Sequence, residues 1–197
     1  MPGTLGRAAN GGKLAMFISL HELEVRKVEF SQQFAPGTLE LIDDLRQSGT
    51  LNTGGHAELL AEHRGGKSIV KDIRVVGDFS TQIEVRCARC IEPVPIKVGG
   101  DFDLLYRPLG VDAGQDERAI SEAETEIGYY SGEGIQLEDV LREQILLALP
   151  LRTVCREDCR GLCPGCGKNL NVETCSCGDQ TPDPRWAALA GIKDKLK

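Results

Sequence analysis

Aromatic residues are scarce in this chain. They make up 5% of its 197 residues, and Trp186 is the single tryptophan. A stacking platform for single-stranded nucleic acid needs more rings than that, so the composition argues against one. Histidine is scarcer still. His21, His56 and His63 are scattered through a region of strand pattern with no partner motif, and each reads as a surface or structural residue rather than a base. Long apolar runs are missing too. None is longer than Ile145 to Leu149, far short of the ~20 residues of a membrane-spanning helix. Basic charge is in deficit, with 23 Lys and Arg against 30 Asp and Glu and a formal net charge of −7. Such a chain is a poor candidate for non-specific binding along a phosphate backbone, so any contact with nucleic acid must be local or made through a protein partner. The first residues, Met1-Pro-Gly-Thr-Leu-Gly-Arg-Ala-Ala-Asn-Gly-Gly-Lys13, carry no apolar h-region of a signal peptide. The expected location is the cytoplasm, where thiols stay reduced.

Catalytic patterns are also lacking. Gly65-Gly66-Lys67-Ser68 resembles the end of a phosphate-binding loop, but that motif needs a glycine where Ala61 stands and a helix where a strand pattern follows. No Ser or Cys nucleophile motif and no Gly-rich dinucleotide fingerprint occurs. The expectation is a protein that is not an enzyme.

Cysteine is what the chain has in excess. Six of its eight cysteines lie between Cys155 and Cys177. Cys163-Pro-Gly-Cys166-Gly167 is the spacing of a metal knuckle: two thiolates two residues apart turn onto one cation, Pro164 stiffens the turn, and Gly167 permits positive φ. Cys175-Ser-Cys177-Gly178 is a tighter pair ending in the same permissive residue. Cys155 and Cys159 form a third pair, and Cys87 and Cys90 a fourth far upstream. Four pairs suggest two sites, with Cys163, Cys166, Cys175 and Cys177 sharing one zinc and Cys87, Cys90, Cys155 and Cys159 another. All-cysteine zinc sites are closed and structural, whereas catalytic zinc keeps an open position. An iron–sulfur cluster and a redox disulfide are the other readings of the same thiols, and both stay open here.

Along the chain, residues 1–15 are rich in Gly and Ala without a hydrophobic period and read as a disordered tail. Met16 opens the first patterned segment and is a candidate translation start beside Met1. Val25 to Phe34, Leu51 to Glu62, Ser68 to Cys87 and Ile96 to Tyr106 alternate as strands do. Leu39 to Ser48 has the spacing of a short helix. Six acids and one base between Gly110 and Glu126 read as a mobile acidic loop, a possible docking tail for a basic partner. Leu137, Val140, Leu141, Ile145 and Ala148 recur at helical spacing over Gln136 to Leu149, with Glu138 and Asp139 in the dipole-favoured first turn and Pro150 after the end. Leu146, Leu147 and Leu149 widen that stripe and predict a helix end buried on most sides. Asp183-Pro184 caps a terminal helix with Trp186, Leu189 and Ile192 on its apolar side. The expected fold is α+β: an antiparallel β-rich body, sheet or partial barrel, over 16–150, with a packed helix at 136–149, then a Cys-rich zinc lobe and terminal helix over 151–197.

Arg86-Cys87-Ala-Arg89-Cys90-Ile91-Glu92-Pro93, Arg142 to Pro150, Cys155-x3-Cys159-Arg-Gly-Leu-Cys163-Pro-x-Cys166-Gly-x-Asn169-Leu-Asn171, Cys175-x-Cys177 and Asp183-Pro-Arg185 together resemble the bacterial YceD family of large ribosomal RNA subunit accumulation proteins, which also has plastid members. The resemblance runs from about Met16 to the end. It is most specific between Leu141 and Arg185, and general in pattern only over 17–80. It implies a part in accumulation of large-subunit (23S) ribosomal RNA and in biogenesis of the large ribosomal subunit, and implies no catalytic mechanism. The expected partner is a large-subunit precursor, met through its RNA or through a basic ribosomal protein, with no membrane and no small-molecule substrate. Arg152, Arg156, Arg160, Lys168, Lys193, Lys195 and Lys197 are the candidate contacts. The alternative from another class is a thiol and zinc redox sensor or redox-switched chaperone, because thiolate zinc sites can release metal when oxidised.

Overall fold

A computed structural model describes residues 16–42, 44–64, 68–111 and 127–177. The tail over 1–15, the turn at Gly65 to Lys67, most of the acidic loop, the terminal helix and Lys193, Lys195 and Lys197 lie outside the described residues. Within them the chain is mostly β-strand with few helices. The elements in order are β1 (Phe17–Ser19), α1 (Leu20–Val25), β2 (Val28–Phe34), β3 (Arg46–Gln47), β4 (Leu51–Arg64), β5 (Ser68–Arg86), β6 (Pro93–Pro108), β7 (Ile127–Tyr130), β8 (Gly134–Gln136) and α2 (Leu137–Ala148).

The chain divides into two compact units. The first is Met1–Val85 with Pro95–Leu151, and the second is Arg86–Val94 with Arg152–Lys197. The turn joining β5 to β6 therefore belongs with the Cys-rich residues, although its place in sequence put it in the 16–150 body.

In the first unit the described strands run in the order β2-β4-β5-β6-β7, with β3 also on β5, and β1 and β8 form a separate pair. Long β4 and β5 are antiparallel neighbours from Arg64↔Ser68 to Asn52↔Ser80, and β2 lies antiparallel on β4. β7 runs parallel to β6 from Leu105↔Ile127. Successive strand side chains point to opposite faces, and in β5 Ile73, Val75, Phe79, Ile83 and Val85 all fall on the buried one. Phe30, Phe34, Leu51, Ala57 and Phe102 are buried with them.

Among the buried polar side chains of this unit, Gln47, Thr53, Asp72, Thr81 and Arg107, two arrangements bear on the fold. Arg107 of β6 is bidentate to Asp72 of β5, Nη2 to Oδ2 at 2.9 Å and Nε to Oδ1 at 3.2 Å. The other is that of Gln47, within Leu39 to Ser48. The described residues of that segment form no helix; they run as irregular chain and turn into β3. The Gln47 side chain accepts from the Leu39 N–H at 3.0 Å and donates to the carbonyls of Phe34 at 3.3 Å and Gly49 at 2.9 Å. One buried amide thus satisfies three backbone groups, one at the start of the segment and two outside it, and ties the chain on either side of it together.

α2 buries Leu137, Val140, Leu141 and Ile145 of the stripe that the periodicity predicts, while Ala148, the last residue of that stripe, is exposed. The last turn differs from the sequence expectation: Leu147 is 72% exposed, so the buried stripe stays one-sided.

Candidate metal centre

All eight cysteines lie in the second unit, and all are free thiols. The structure brings together Cys87, Cys90, Cys155 and Cys159 in one group and Cys163, Cys166, Cys175 and Cys177 in another, with the sulfurs of each group within 4.8 Å of one another. Cys90 and Cys155 stand 3.6 Å apart at sulfur, Cys87 and Cys159 3.9 Å, and Cys163 and Cys175 3.4 Å. A tetrahedral ion with metal–sulfur bonds near 2.3 Å sets its ligand sulfurs about 3.8 Å apart. A disulfide would need about 2.05 Å. The donor set and spacing fit one four-coordinate ion in each group.

Two matched turns present these thiols. After Cys87, the Ile91 N–H donates to the Cys87 carbonyl at 2.9 Å, and the Cys87 N–H donates to the Glu92 carbonyl at 2.8 Å. After Cys163, the Gly167 N–H donates to the Cys163 carbonyl at 2.8 Å, and the Cys163 N–H to the Lys168 carbonyl at 2.8 Å. Each fold-back leaves the intervening N–H groups facing sulfur. The N–H groups of Arg89 and Cys155 both lie 3.4 Å from Cys87 Sγ.

The electrostatics follow from those donors. Burial pushes the Cys87 thiol up, but backbone N–H groups at Cys90, Arg89 and Cys155 together outweigh it and bring the pKa to about 6. Backbone N–H groups of Cys166 and Gly165, with the Cys175 side chain, hold Cys163 at about 6. Burial and then hydrogen bonding with the neighbouring cysteines push Cys155 up to about 12. Cys177 rises to about 11, first through its hydrogen bond with Cys166 and then through that thiol's charge. In the Cys87 group Cys159 is lowered as well, its burial outweighed by the Asn171 side chain and the Gly161 N–H, while Cys90 is raised; in the other group Cys175 is raised beside Cys163, so full ionisation of either set is opposed by burial and by the charge of the thiolates already formed. A cation removes that repulsion.

Cys87, Cys90 and Cys159 are buried, with Val94, Val154 and Leu162 packed on them. In this part of the second unit the thiols occupy the place of a hydrophobic core. Residues of the turns and the loop tie the groups to each other. Arg89 Nη1 donates to the carbonyls of Glu157 and Cys159, each at 2.9 Å. Gly161, at φ 75, lets the Arg89 carbonyl come close; a Cβ there would stand 2.9 Å from that oxygen. Asn171 lies in the loop between Cys166 and Cys175, yet its Nδ2 donates to Cys159 Sγ of the other group at 3.3 Å and to Asn169 Oδ1 at 2.8 Å. Its Oδ1 accepts from the Arg160 N–H at 2.8 Å and from Arg156 Nη2 at 2.9 Å. Arg89, Asn169 and Asn171 stand in the motifs quoted above, but spacing alone gives them no role; only the fold shows them as supports of the cysteines.

Of the candidate contact residues, Arg152, Arg156, Arg160 and Lys168 fall among the described residues. Arg152 is exposed. Arg156 is held by Asn171 and lies 3.3 Å from Asp158. Lys168 pairs with Glu173 at 3.5 Å. The exposed Arg160 meets Asn171 through its backbone N–H.

These features define a class: a β-rich protein whose smaller unit is organised by two four-cysteine groups. The chain belongs to the YceD family. A family model described as "Large ribosomal RNA subunit accumulation protein YceD" matches residues 75–193, a span holding all eight cysteines. An uncharacterized protein of Mycobacterium tuberculosis is 36% identical over 123 residues, covering 62% of this chain and 56% of its own. An uncharacterized protein of Mycobacterium leprae is 28% identical over 127 residues, 64% of this chain and 55% of that one. "Large ribosomal RNA subunit accumulation protein YCED homolog 1, chloroplastic" of Arabidopsis thaliana is 24% identical over 148 residues, 64% of this chain and 46% of its own length. The chain thus spans about half the length of the curated relatives it matches. No solved structure matches it. No helix among the described residues is long and apolar enough to cross a membrane.

Proposed function

We propose that this chain is a non-enzymatic, cytoplasmic factor that supports accumulation of large-subunit (23S) ribosomal RNA and biogenesis of the large ribosomal subunit, with one structural zinc held by each cysteine group. In this reading the first unit is an α+β body with α2 packed on its strands. The observation that carries the proposal is that two complete four-thiol sets, in a chain of this family, use every cysteine. Four protein ligands around one ion leave no open position for substrate, which favours a structural over a catalytic metal. Four sulfurs within 4.8 Å suit a single ion better than a multi-iron core, whose ligand sulfurs go to separate irons. Zinc, tetrahedral and redox-inert, suits thiolate donors in a reducing compartment.

The metal-bearing unit serves as a rigid docking surface on a large-subunit precursor. Its described residues hold six basic side chains (Arg86, Arg89, Arg152, Arg156, Arg160 and Lys168) against four acids (Glu92, Glu157, Asp158 and Glu173). A zinc with four thiolates carries a net charge of about −2, so two such sites offset the basic excess. That balance favours a protein-mediated contact over a broad RNA-binding face. Cells depleted of the protein are the test. The expected result is a lower ratio of large- to small-subunit ribosomal RNA, with the tagged protein co-sedimenting with large-subunit precursors. An unchanged ratio overturns the proposal.

The exposure of Cys155, Cys166 and Cys177 favours a second reading, a redox sensor or redox-switched chaperone. It expects zinc release and gain of holdase activity at low peroxide, and metal retained under those conditions removes it.

A further inference from the structure

The aromatic residues that this chain possesses are not spread evenly. All three tyrosines, Tyr106, Tyr129 and Tyr130, line one cleft of about 400 Å³ in the first unit, together with Phe17 and the α2 carboxylates Asp139 and Glu143. Ile135 and Val140 also line it. The Tyr130 hydroxyl donates to the Lys71 carbonyl at 2.7 Å, so its ring is fixed. Phe17 and Tyr129 are 45% and 53% exposed, an unusual placement for rings in a chain so poor in them. Asp139 and Glu143 are four residues apart on α2 and so share one helix face. Arg142 Nη1 meets Asp139 Oδ1 at 2.5 Å, whereas Glu143 forms no ion pair among the described residues. The negative field reaches the rings: burial first, then the charges of Glu143 and Asp139, push the Tyr106 phenol up to about 12.

We propose that this cleft receives an arginine or lysine side chain from a basic protein segment, with the cation against the Tyr106 and Tyr129 rings and paired with Glu143. Aromatic faces attract cations through their quadrupole, and guanidinium both stacks on a ring and forks onto a carboxylate. The same features disfavour RNA. A base could stack here, but its phosphates would meet Asp139, Glu143 and a chain of net charge −7. The inference deepens the assembly-factor reading and rests on it for the identity of the partner: it gives the protein-mediated contact a place and a chemistry.

The test uses the full chain and a fluorescein-labelled arginine–glycine repeat peptide, read by fluorescence anisotropy. Its controls are the same peptide with citrulline for arginine and a labelled single-stranded RNA. Glu143→Gln and Tyr129→Ala alter exposed side chains. Asp101→Asn, also an exposed acid of the first unit but outside the cleft, reports general electrostatics. The expected result is binding of the arginine peptide, loss with citrulline, and weakening of about tenfold in each cleft variant, the order expected for a lost ring contact or carboxylate. Asp101→Asn should leave affinity unchanged. No peptide binding, equal weakening by Asp101→Asn, or RNA binding that falls in the same cleft variants overturns the proposal. The outcome is separable from the depletion experiment. A cleft that binds the peptide in a protein whose depletion leaves ribosomal RNA unchanged sinks the assembly-factor reading and keeps the site. Depletion that lowers the RNA, with no binding at the cleft, does the reverse.

Discussion

Ile91 and Gly167 hold the same position in two matched turns, each donating its N–H to the carbonyl of the cysteine four residues before, with φ of 64° and 73°. For glycine that backbone costs little. For a β-branched residue it is an outlier, and the left-handed region costs an L-residue about 1–2 kcal/mol.

Ile91 is 50% exposed, so its side chain returns little burial for that strain. Ile91→Gly should raise stability of the metal-loaded protein by up to about 1 kcal/mol, after the added backbone freedom of glycine in the unfolded chain is subtracted. A urea midpoint shifted upward at unchanged slope is the check. Gly167→Ile should lower stability by about 1–2 kcal/mol through the reverse effect. A destabilised Ile91→Gly would mean that the exposed isoleucine makes contacts worth more than its strain.

Metal stoichiometry tests the grouping of the cysteines. Purified under reducing conditions, the protein should carry two zinc ions per chain by elemental analysis. Cys87→Ser with Cys90→Ser should leave one, as should Cys163→Ser with Cys166→Ser. Loss of both ions in either double variant would show the groups to be one cooperative unit, and two ions retained would refute the assignment. Chelation should unfold the second unit, because the thiols occupy the place of its core.

Asn171 supports Cys159 from the loop of the other cysteine group. Asn171→Ala removes the 3.3 Å bond to sulfur and the partner of the Arg160 N–H. Affinity at the Cys87 group should fall about 10–100-fold, as for supports of other metal ligands. Competition with a chromogenic chelator should show one weakened and one unchanged ion. Equal weakening at both would assign Asn171 a role in overall folding instead.

The pair Arg107 and Asp72 is buried, with side chains 7% and 5% exposed. Arg107→Met strands the carboxylate and should cost about 3–5 kcal/mol. Replacing both partners, Arg107→Met with Asp72→Leu, should restore most of that loss. A double variant as unstable as the single one would show that Arg107 acts mainly through Glu62, which its Nη2 also meets at 3.2 Å.

Much of this protein was legible as periodicity and spacing. Strand alternation located β2, β4, β5 and β6, and the three-and-four recurrence of Leu137, Val140, Leu141 and Ile145 located α2 with its buried face, because both patterns are set by backbone geometry within a few residues. The cysteine pairs were visible for the same reason: two thiols two residues apart reach one ion through a local turn. Closing the Cys87 pair onto the Cys155 pair could only be posed as a hypothesis, since it joins residues 65 or more positions apart.

The tertiary structure decided the rest. Leu39 to Ser48 has helical spacing, but its described residues run as irregular chain into β3, where buried Gln47 joins the Leu39 N–H to the carbonyls of Phe34 and Gly49. Ile91 has no sequence mark of a left-handed residue; the turn at Cys87 imposes that φ. Asn171 reads as a loop asparagine until the fold carries it to Cys159. The gathering of the tyrosines around Asp139 and Glu143 depends on β6, β7 and α2 meeting, elements that are separate along the chain. Sequence by itself determined what short stretches of backbone can do alone. Contacts between distant stretches depend on which burial and hydrogen-bond partners win in the packed chain, and that competition exists only in three dimensions.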